Sequence, residues 1–163
     1  MKALIKKLRP VKLDQLIYVV TPGDTHPDPL VRFDKEAADI RMVQETKDKV
    51  SYRLSIDGNQ VHKSNVFYAT HFLKTIGKFG FPVIGDCHTD DACRGKGIYP
   101  YMLTYIYKEL LQSNKEVYIL VSPENAPSIR GIEKAGFRKV CRVRTTRLGP
   151  LYLDKNIESE AVK

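Results

Sequence analysis

Two short stretches of this chain gather groups that can do chemistry. "CRGKGIYPYML", Cys93 to Leu103, sets Arg94, Gly95, Lys96 and Gly97 before an abruptly apolar run. The first N–H groups of a helix lack intrahelical partners, and the helix dipole adds partial positive charge there. Gly95 and Gly97 let the backbone approach a ligand with no Cβ in the way. Arg94 and Lys96 add full charges. Pro100 falls in the first turn, where its missing N–H costs nothing. The design suits a phosphate or pyrophosphate, and a plain basic strand-to-helix turn is the alternative. Neither G-x-x-x-x-G-K-[ST] nor G-x-G-x-x-G is present, which excludes a Walker A loop and a dinucleotide fingerprint.

The second stretch is "GDCHTDDAC", Gly85 to Cys93. It supplies Asp86, His88, Asp90 and Asp91 near the end of a strand. A histidine has the right unperturbed pKa to take a proton near neutrality, so His88 is the first candidate general base. Asp86 is the second, on the same side of an extended strand as His88. A structural His88 is the competing reading, and Asp90 and Asp91 read as turn or cap residues. No metal is expected, because the C-x5-C pair of Cys87 and Cys93 lacks a second pair of ligands. The same two cysteines read as buried free thiols, not nucleophiles. His26, His62 and His71 carry no assignment.

Periodicity supplies the elements that must position these groups. "QLIYVV" reads as a strand. "DKEAADIRMVQET" reads as a helix, with Ala37, Ile40 and Val43 at loose helical spacing. "VSYRLSID" alternates, with Val50, Tyr52, Leu54 and Ile56 on one side, and Asp57-Gly58-Asn59 predicts a tight turn into a returning strand. "FPVIGDC" is a further strand. "IYPYMLTYIYKELL" is a helix, with Ile98, Met102, Ile106 and Leu110 recurring every four residues and Tyr99 and Leu103 widening the face. "EVYILV" is a strand. "APSIRGIEKA" is a short helix stopped by Gly136 at a C′ position. "FRKVCRVRTT" is a last long strand, followed by a short one at "PLYL". Strand, helix and strand in the middle form a right-handed βαβ crossover between parallel neighbours. The fold class is mixed α/β: one central sheet with helices on its faces. The proline-rich stretch "TPGDTHPDPL" reads as a loop, not a domain linker.

With these elements in place, "RGKGIY", Arg94 to Tyr99, resembles the R/Q-x-x-G-x-G/A motif of the GNAT superfamily of acyl-CoA-dependent N-acetyltransferases. "NAPSIRGIEKAGF", Asn125 to Phe137, resembles the family's second signature in spacing and residue type. One helix and one strand lie between them, as in the family. The resemblance covers about residues 80–145. It implies a mostly antiparallel sheet (an α+β arrangement) whose two central parallel strands, "FPVIGDCHT" and "EVYILV", splay to admit acetyl-CoA. It further implies that backbone N–H groups from Gly95 through Lys96, Gly97 and Ile98 to Tyr99, beside Arg94, cradle the pyrophosphate. Backbone near Thr89 and Asp91 would meet the pantetheine arm, with Asn125 and Ser128 along its far side. Two positions depart from the family pattern. Tyr99 stands where a small residue usually ends the first motif, so its side chain must point away from the phosphate. Ile132 stands where many members carry a tyrosine that protonates the leaving thiolate. Another group must serve, or the thiolate leaves unaided. A non-catalytic module that binds CoA or a nucleotide is the alternative function.

Composition bounds the rest. A chain of 163 residues is expected to form one domain, 1–163, and buries ~70% of its unfolded surface. No apolar run is long enough to span a membrane, and the cationic start lacks the apolar core and cleavage site of a signal peptide. Three cysteines in a chain this size favour reduced thiols and a cytoplasmic setting. The net charge of +8 fits an anionic ligand. No helix-turn-helix, aromatic RNA-binding pattern or basic stripe accompanies it, so nucleic acid is not the expected partner. Arg138, Arg142 and Arg144 alternate along the last long strand and project from one face. That row suggests Arg142 as a contact for an anionic small-molecule amine, such as a nucleotide-linked amino sugar, with a solvated outer face as the alternative. A monomer or a homodimer is expected.

Overall fold

The computed structural model describes residues 9–160. Residues 1–8, the most cationic part of the start, lie outside it. Eight strands form one sheet: β1 (Val11–Val20), β2 (Ala38–Thr46), β3 (Lys49–Ile56), β4 (Asn59–Phe67), β5 (Val83–Thr89), β6 (Val117–Val121), β7 (Arg138–Leu148) and β8 (Leu151–Ser159). Two α-helices, α1 (Ile98–Leu110) and α2 (Ala126–Lys134), join β5 to β6 and β6 to β7. The strand order is β2-β3-β4-β5-β6-β1-β7-β8. Only β5 and β6 run parallel, so the sheet is mostly antiparallel around a single βαβ unit.

Alternation along β1 divides the core. Leu16, Tyr18 and Val20 face one cluster and Ile17 and Val19 the other. The first cluster holds the apolar faces of both α-helices. Ile98, Met102, Ile106 and Leu110 of α1 are all buried there, as their four-residue spacing predicts. Each such side chain contributes about 1.5–3 kcal/mol of burial. The opposite face is covered by the 3-10 helix His71–Ile76 through Phe72 and Leu73. Helical structure therefore lies on both faces, with the two α-helices together on one.

The turn at Asp57 and Gly58 has positive φ at both residues, and β4 returns antiparallel to β3. Gly136 closes α2 at φ +90°, and a Cβ there would lie 2.7 Å from Pro27 Cδ. The proline-rich loop thus packs against the helix end.

One element differs from the sequence reading. Residues 38–46 of "DKEAADIRMVQET" form strand β2, not a helix. β2 is an edge strand whose sole neighbour is β3. Ala38 and Ile40 pack against the core, while Met42 is 62% exposed. The helical spacing of residues 37, 40 and 43 was therefore coincidental, since backbone pairing with β3 decides the conformation. β8 is also longer than the stretch "PLYL" suggests.

Candidate ligand groove at the splayed strands

β5 and β6 pair at Val83↔Tyr118 and Ile84↔Ile119 and nowhere further on. Beyond that point β5 pairs with β4 alone, while β6 follows β1. The two parallel strands therefore splay, and a groove occupies the gap. It has two lobes. The larger, about 530 Å³, lies under the loop before α1. The smaller, about 230 Å³, lies between the strand ends. Cys87, Tyr99, Asn125 and Ser128 line both lobes and mark their junction.

The loop is built as an anion cradle. Gly95 and Gly97 take φ of +76° and +78°, a region that disfavours residues with a Cβ. The N–H groups of Gly95, Lys96, Gly97, Ile98 and Tyr99 donate to no acceptor among the described residues. The loop is instead held through its carbonyl side, where Arg32 N donates to Lys96 O at 2.8 Å. The two glycines differ in kind. A Cβ on Gly95 would meet nothing within 4 Å, whereas one on Gly97 would lie 2.2 Å from the Leu30 carbonyl oxygen. Gly97 is required by the fold itself.

Most of the residues singled out in the sequence meet at this groove. Thr89, Arg94, Gly95, Gly97, Ile98 and Tyr99 line the larger lobe with Asn125 and Ser128. Lys96 and Asp91 do not line it; the Asp91 carboxylate instead pairs with Arg94 at 2.9 Å. Arg94 Nε also donates to the Thr89 carbonyl at 3.3 Å, so this arginine braces the loop. Asn125 caps α2, its Oδ1 accepting from Ser128 N at 3.3 Å. Two cations escaped the sequence reading. Arg130 and Lys134 sit one turn apart on α2, line the larger lobe and form no ion pair among the described residues. Their i, i+4 spacing after Asn125 was the available signal.

The strand that carries Asp86 and His88 is not regular. Lys63 pairs with His88 and Asn65 with Gly85, so Ser64 alone faces both Asp86 and Cys87. This is a β-bulge, with Asp86 at φ +47°. Past the bulge, Cys87 and Thr89 bond to side chains on the α1 face. His88 lies between them in sequence, and its imidazole is largely open to solvent. It is 69% exposed, with Nε2 3.8 Å from Asp90. Asp86 lines the smaller lobe and His88 the larger.

His62, unassigned in the sequence, is buried beneath the junction. Its Nδ1 lies 2.7 Å from Thr89 Oγ1 and its Nε2 2.7 Å from Ser64 Oγ. Ser64 donates to Cys87 Sγ at 3.1 Å. Burial lowers the His62 pKa to about 4, with His88 adding to the shift. Burial also pushes the Cys87 thiol up to about 11, which rules out a resting thiolate nucleophile. Nothing in the sequence separates this histidine from the others; the bulge and the β4–β5 register bring its partners together.

The two departures from the family pattern are linked in space. The Tyr99 ring turns from the loop toward α2, so that a Cβ on Gly131 would lie 2.4 Å from Tyr99 Cδ1. The Tyr99 side chain borders the junction of the lobes together with Cys87 and Ser128. Burial first, and then Cys87, raise its pKa above the usual phenol value. Ile132 is fully buried in the core. The groove therefore has no hydroxyl from position 132 and one from position 99.

Arg142 stands apart from the groove. It forms two bonds to Asp14, Nε to Oδ1 at 2.8 Å and Nη2 to Oδ2 at 2.7 Å, and lines neither lobe. The arginine row is an ion-paired outer face. Among the described residues no cluster of three or more His, Cys, Asp or Glu side chains could hold a metal ion. All three cysteines are free. No helix among them is long and apolar enough to cross a membrane.

No protein-family model matches the chain, and no protein of curated function matches it in sequence. Solved structures do match. A protein of the GNAT acetyltransferase family from Novosphingobium aromaticivorans aligns over 94% of this chain and 68% of its own, with 15% identity and a TM-score of 0.58. A GNAT-family acetyltransferase from Colwellia psychrerythraea aligns over 98% and 61%, with 13% identity and a TM-score of 0.56. A GCN5-related N-acetyltransferase from Kribbella flavida aligns over 85% and 60%, with 11% identity and a TM-score of 0.54. The chain spans 60–68% of the length of these proteins. It has the fold of the GNAT acetyltransferases.

Proposed function

We propose that the protein is an N-acetyltransferase that moves an acetyl group from acetyl-CoA to the primary amine of a small molecule. One observation carries this reading: five consecutive backbone N–H groups, Gly95 to Tyr99, without an acceptor among the described residues, border a groove that runs into splayed parallel strands. Those amides and the helix dipole suit a pyrophosphate, and Arg130 and Lys134 add charge on the facing helix. Acetyl-CoA would supply an activated acyl group with a thiolate as leaving group. The chain would orient it, with its anionic end in the larger lobe and its thioester at the junction.

The acceptor then enters by the smaller lobe. Asp86 lines that lobe and is the group placed to take the amine proton, directly or through a water. His88, the first candidate from the sequence, falls on the anionic side of the groove and becomes the second. As the C–N bond forms and the C–S bond breaks, the Tyr99 hydroxyl gives its proton to sulfur, replacing a donor absent at Ile132. Orientation of the two substrates supplies much of the rate. With Arg142 paired to Asp14, nothing near the groove specifies an anionic acceptor, and the acceptor class is a small primary amine.

Thiol release from acetyl-CoA with a panel of amines tests the reading. Amine-dependent release supports it. Tight CoA binding with no release for any amine would replace it with a non-catalytic CoA-binding module.

A further inference from the structure

Asp86 has a left-handed φ of +47°. It fills the first position of the β5 bulge, where glycine fits without strain. Strain of this kind persists only where the surroundings hold it. Among the described residues the Asp86 carboxylate has no hydrogen bond or ion pair, so the backbone alone keeps it at the smaller lobe. The β4–β5 ladder is interrupted here, between Lys63 and Asn65. A chain of side-chain bonds spans the interruption. Thr89 Oγ1 lies 2.7 Å from His62 Nδ1, and His62 Nε2 lies 2.7 Å from Ser64 Oγ. Ser64 Oγ lies 3.1 Å from Cys87 Sγ, which lies 3.6 Å from the Gly85 carbonyl oxygen. The chain starts beyond the bulge and ends on the peptide that immediately precedes Asp86. Its middle is dry, with His62 1% and Ser64 0% exposed. Polar groups this deeply buried are costly unless fully bonded, and packing alone would favour apolar residues there.

The direction of the chain follows from its last two links. Ser64 donates to Cys87, and Cys87 donates to the Gly85 carbonyl. Ser64 Oγ therefore accepts from His62 Nε2–H, and His62 Nδ1 accepts from the Thr89 hydroxyl. Every donor has one acceptor, all run the same way, and no proton has to move. Burial lowers the His62 pKa to about 4, so near neutrality the ring is neutral and can serve as donor at one nitrogen and acceptor at the other.

We propose that His62 and Ser64 are positioning residues: with Thr89 and Cys87 they clamp the Gly85–Asp86 peptide in the orientation that places the Asp86 carboxylate at the smaller lobe. The inference rests on the acetyltransferase reading, in which Asp86 takes the amine proton. Neither His62 nor Ser64 lines the groove, so both act through Asp86. Rotation of that peptide would carry Asp86 toward an ordinary negative φ and swing its carboxylate out of place. A misplacement of about 1 Å can cost ~10²-fold in rate. An aspartate held where glycine would be relaxed is what a side chain kept for its chemistry looks like.

Ser64→Ala removes the middle link without touching the groove. It should lower kcat about tenfold, part of the ~10² that misplacement can cost, and leave the KM for acetyl-CoA unchanged. Asp86→Asn/Ser64→Ala should be no slower than Asp86→Asn alone, because the clamp acts only through that carboxylate. Unchanged kcat in Ser64→Ala, or additive losses in the double variant, would overturn the clamp. His62→Gln breaks the same chain and takes the same tests if Ser64→Ala does not fold. Asp86→Gly should keep or raise the Tm while losing activity as Asp86→Asn does, and a lowered Tm would mean that the side chain serves the fold. Two measurements need no ligand. Nitrogen-15 NMR at neutral pH should find the His62 proton on Nε2, whereas a proton on Nδ1 would reverse the chain and break the clamp. A crystal structure of Ser64→Ala should show the Asp86 carboxylate displaced, and an unmoved Asp86 would overturn the proposal. A wild type that releases no thiol with any amine would defeat the acetyltransferase reading, and those two measurements would still decide whether the clamp exists.

Discussion

The groove under α1 and the arginine row on β7 are both basic, yet they are opposite in construction. On β7 every arginine of the row has a carboxylate. Arg138 meets Asp24 at 3.2 Å, Arg142 meets Asp14 at 2.7 Å, and Arg144 meets both Asp14 and Glu158. In the groove, Arg130 and Lys134 have no such partner among the described residues, and a run of backbone amides beside them is also unspent. Cationic side chains mark a site only where the fold leaves them unpaired. The Asp14 carboxyl is held below the usual carboxylate range by its bond to Arg142, as expected for charges used against each other.

The strongest test of this contrast concerns the loop glycines. Gly97→Ala should destabilise the protein by roughly 2–4 kcal/mol, because left-handed strain adds to a clash with the Leu30 carbonyl. Gly95→Ala should cost only the strain, about 1–2 kcal/mol. Urea unfolding measures both, and equal losses would mean that the Leu30 contact does not constrain the loop. Gly95 is therefore the position at which to perturb ligand binding without perturbing the fold.

The pH dependence of stability separates the two regions further. His62 has a folded pKa of about 4 against an ordinary 6.5. Between those values the unfolded chain holds a proton that the folded protein does not. Stability should fall as pH drops through that window, by about 3 kcal/mol in all. His62→Gln should flatten that limb of the stability curve, and Arg142→Ala should leave it in place. A wild-type curve flat from pH 6.5 to 4 would mean that His62 titrates normally.

Two functional contrasts follow. Asp86→Asn should lower kcat/KM about 10²-fold, the low end of general-base effects, with CoA affinity kept. Full activity would return the role to His88 or to solvent. The smaller effect is on binding. Arg130→Ala/Lys134→Ala should weaken CoA about tenfold, with the weakening reduced at high salt. Arg142→Ala should leave CoA affinity alone and slightly lower Tm. A loss of CoA affinity in Arg142→Ala would erase the distinction between the two basic regions.

The pieces legible in the sequence are those set by local spacing. The four-residue repeat of Ile98, Met102, Ile106 and Leu110 placed α1, and Gly136 marked the end of α2. The glycines before α1 marked the loop whose amides have no acceptor among the described residues. What was hidden depends on pairing between distant segments. Asp14 lies 128 residues from Arg142, so neutralisation of the arginine row could not be read from "FRKVCRVRTT". One extra residue in β5 opposite Ser64 interrupts the regular strand that the sequence reading assumed for Asp86 and His88. The same bulge brought Cys87 and Thr89 to Ser64 and His62. Residues 38–46 were misread because an edge strand with one neighbour carries little alternation of its own.

Calorimetric titration of CoA into the wild-type protein, with Tm measured across the same concentrations, tests the central claim most directly. An anion cradle at Gly95–Tyr99 predicts saturable one-to-one binding that weakens with salt. At ~100 times the dissociation constant it predicts stabilisation of ~2.7 kcal/mol, several degrees in Tm, reproduced by Arg142→Ala and diminished in Arg130→Ala/Lys134→Ala. No heat and no Tm shift with millimolar CoA or acetyl-CoA would contradict the account at its base.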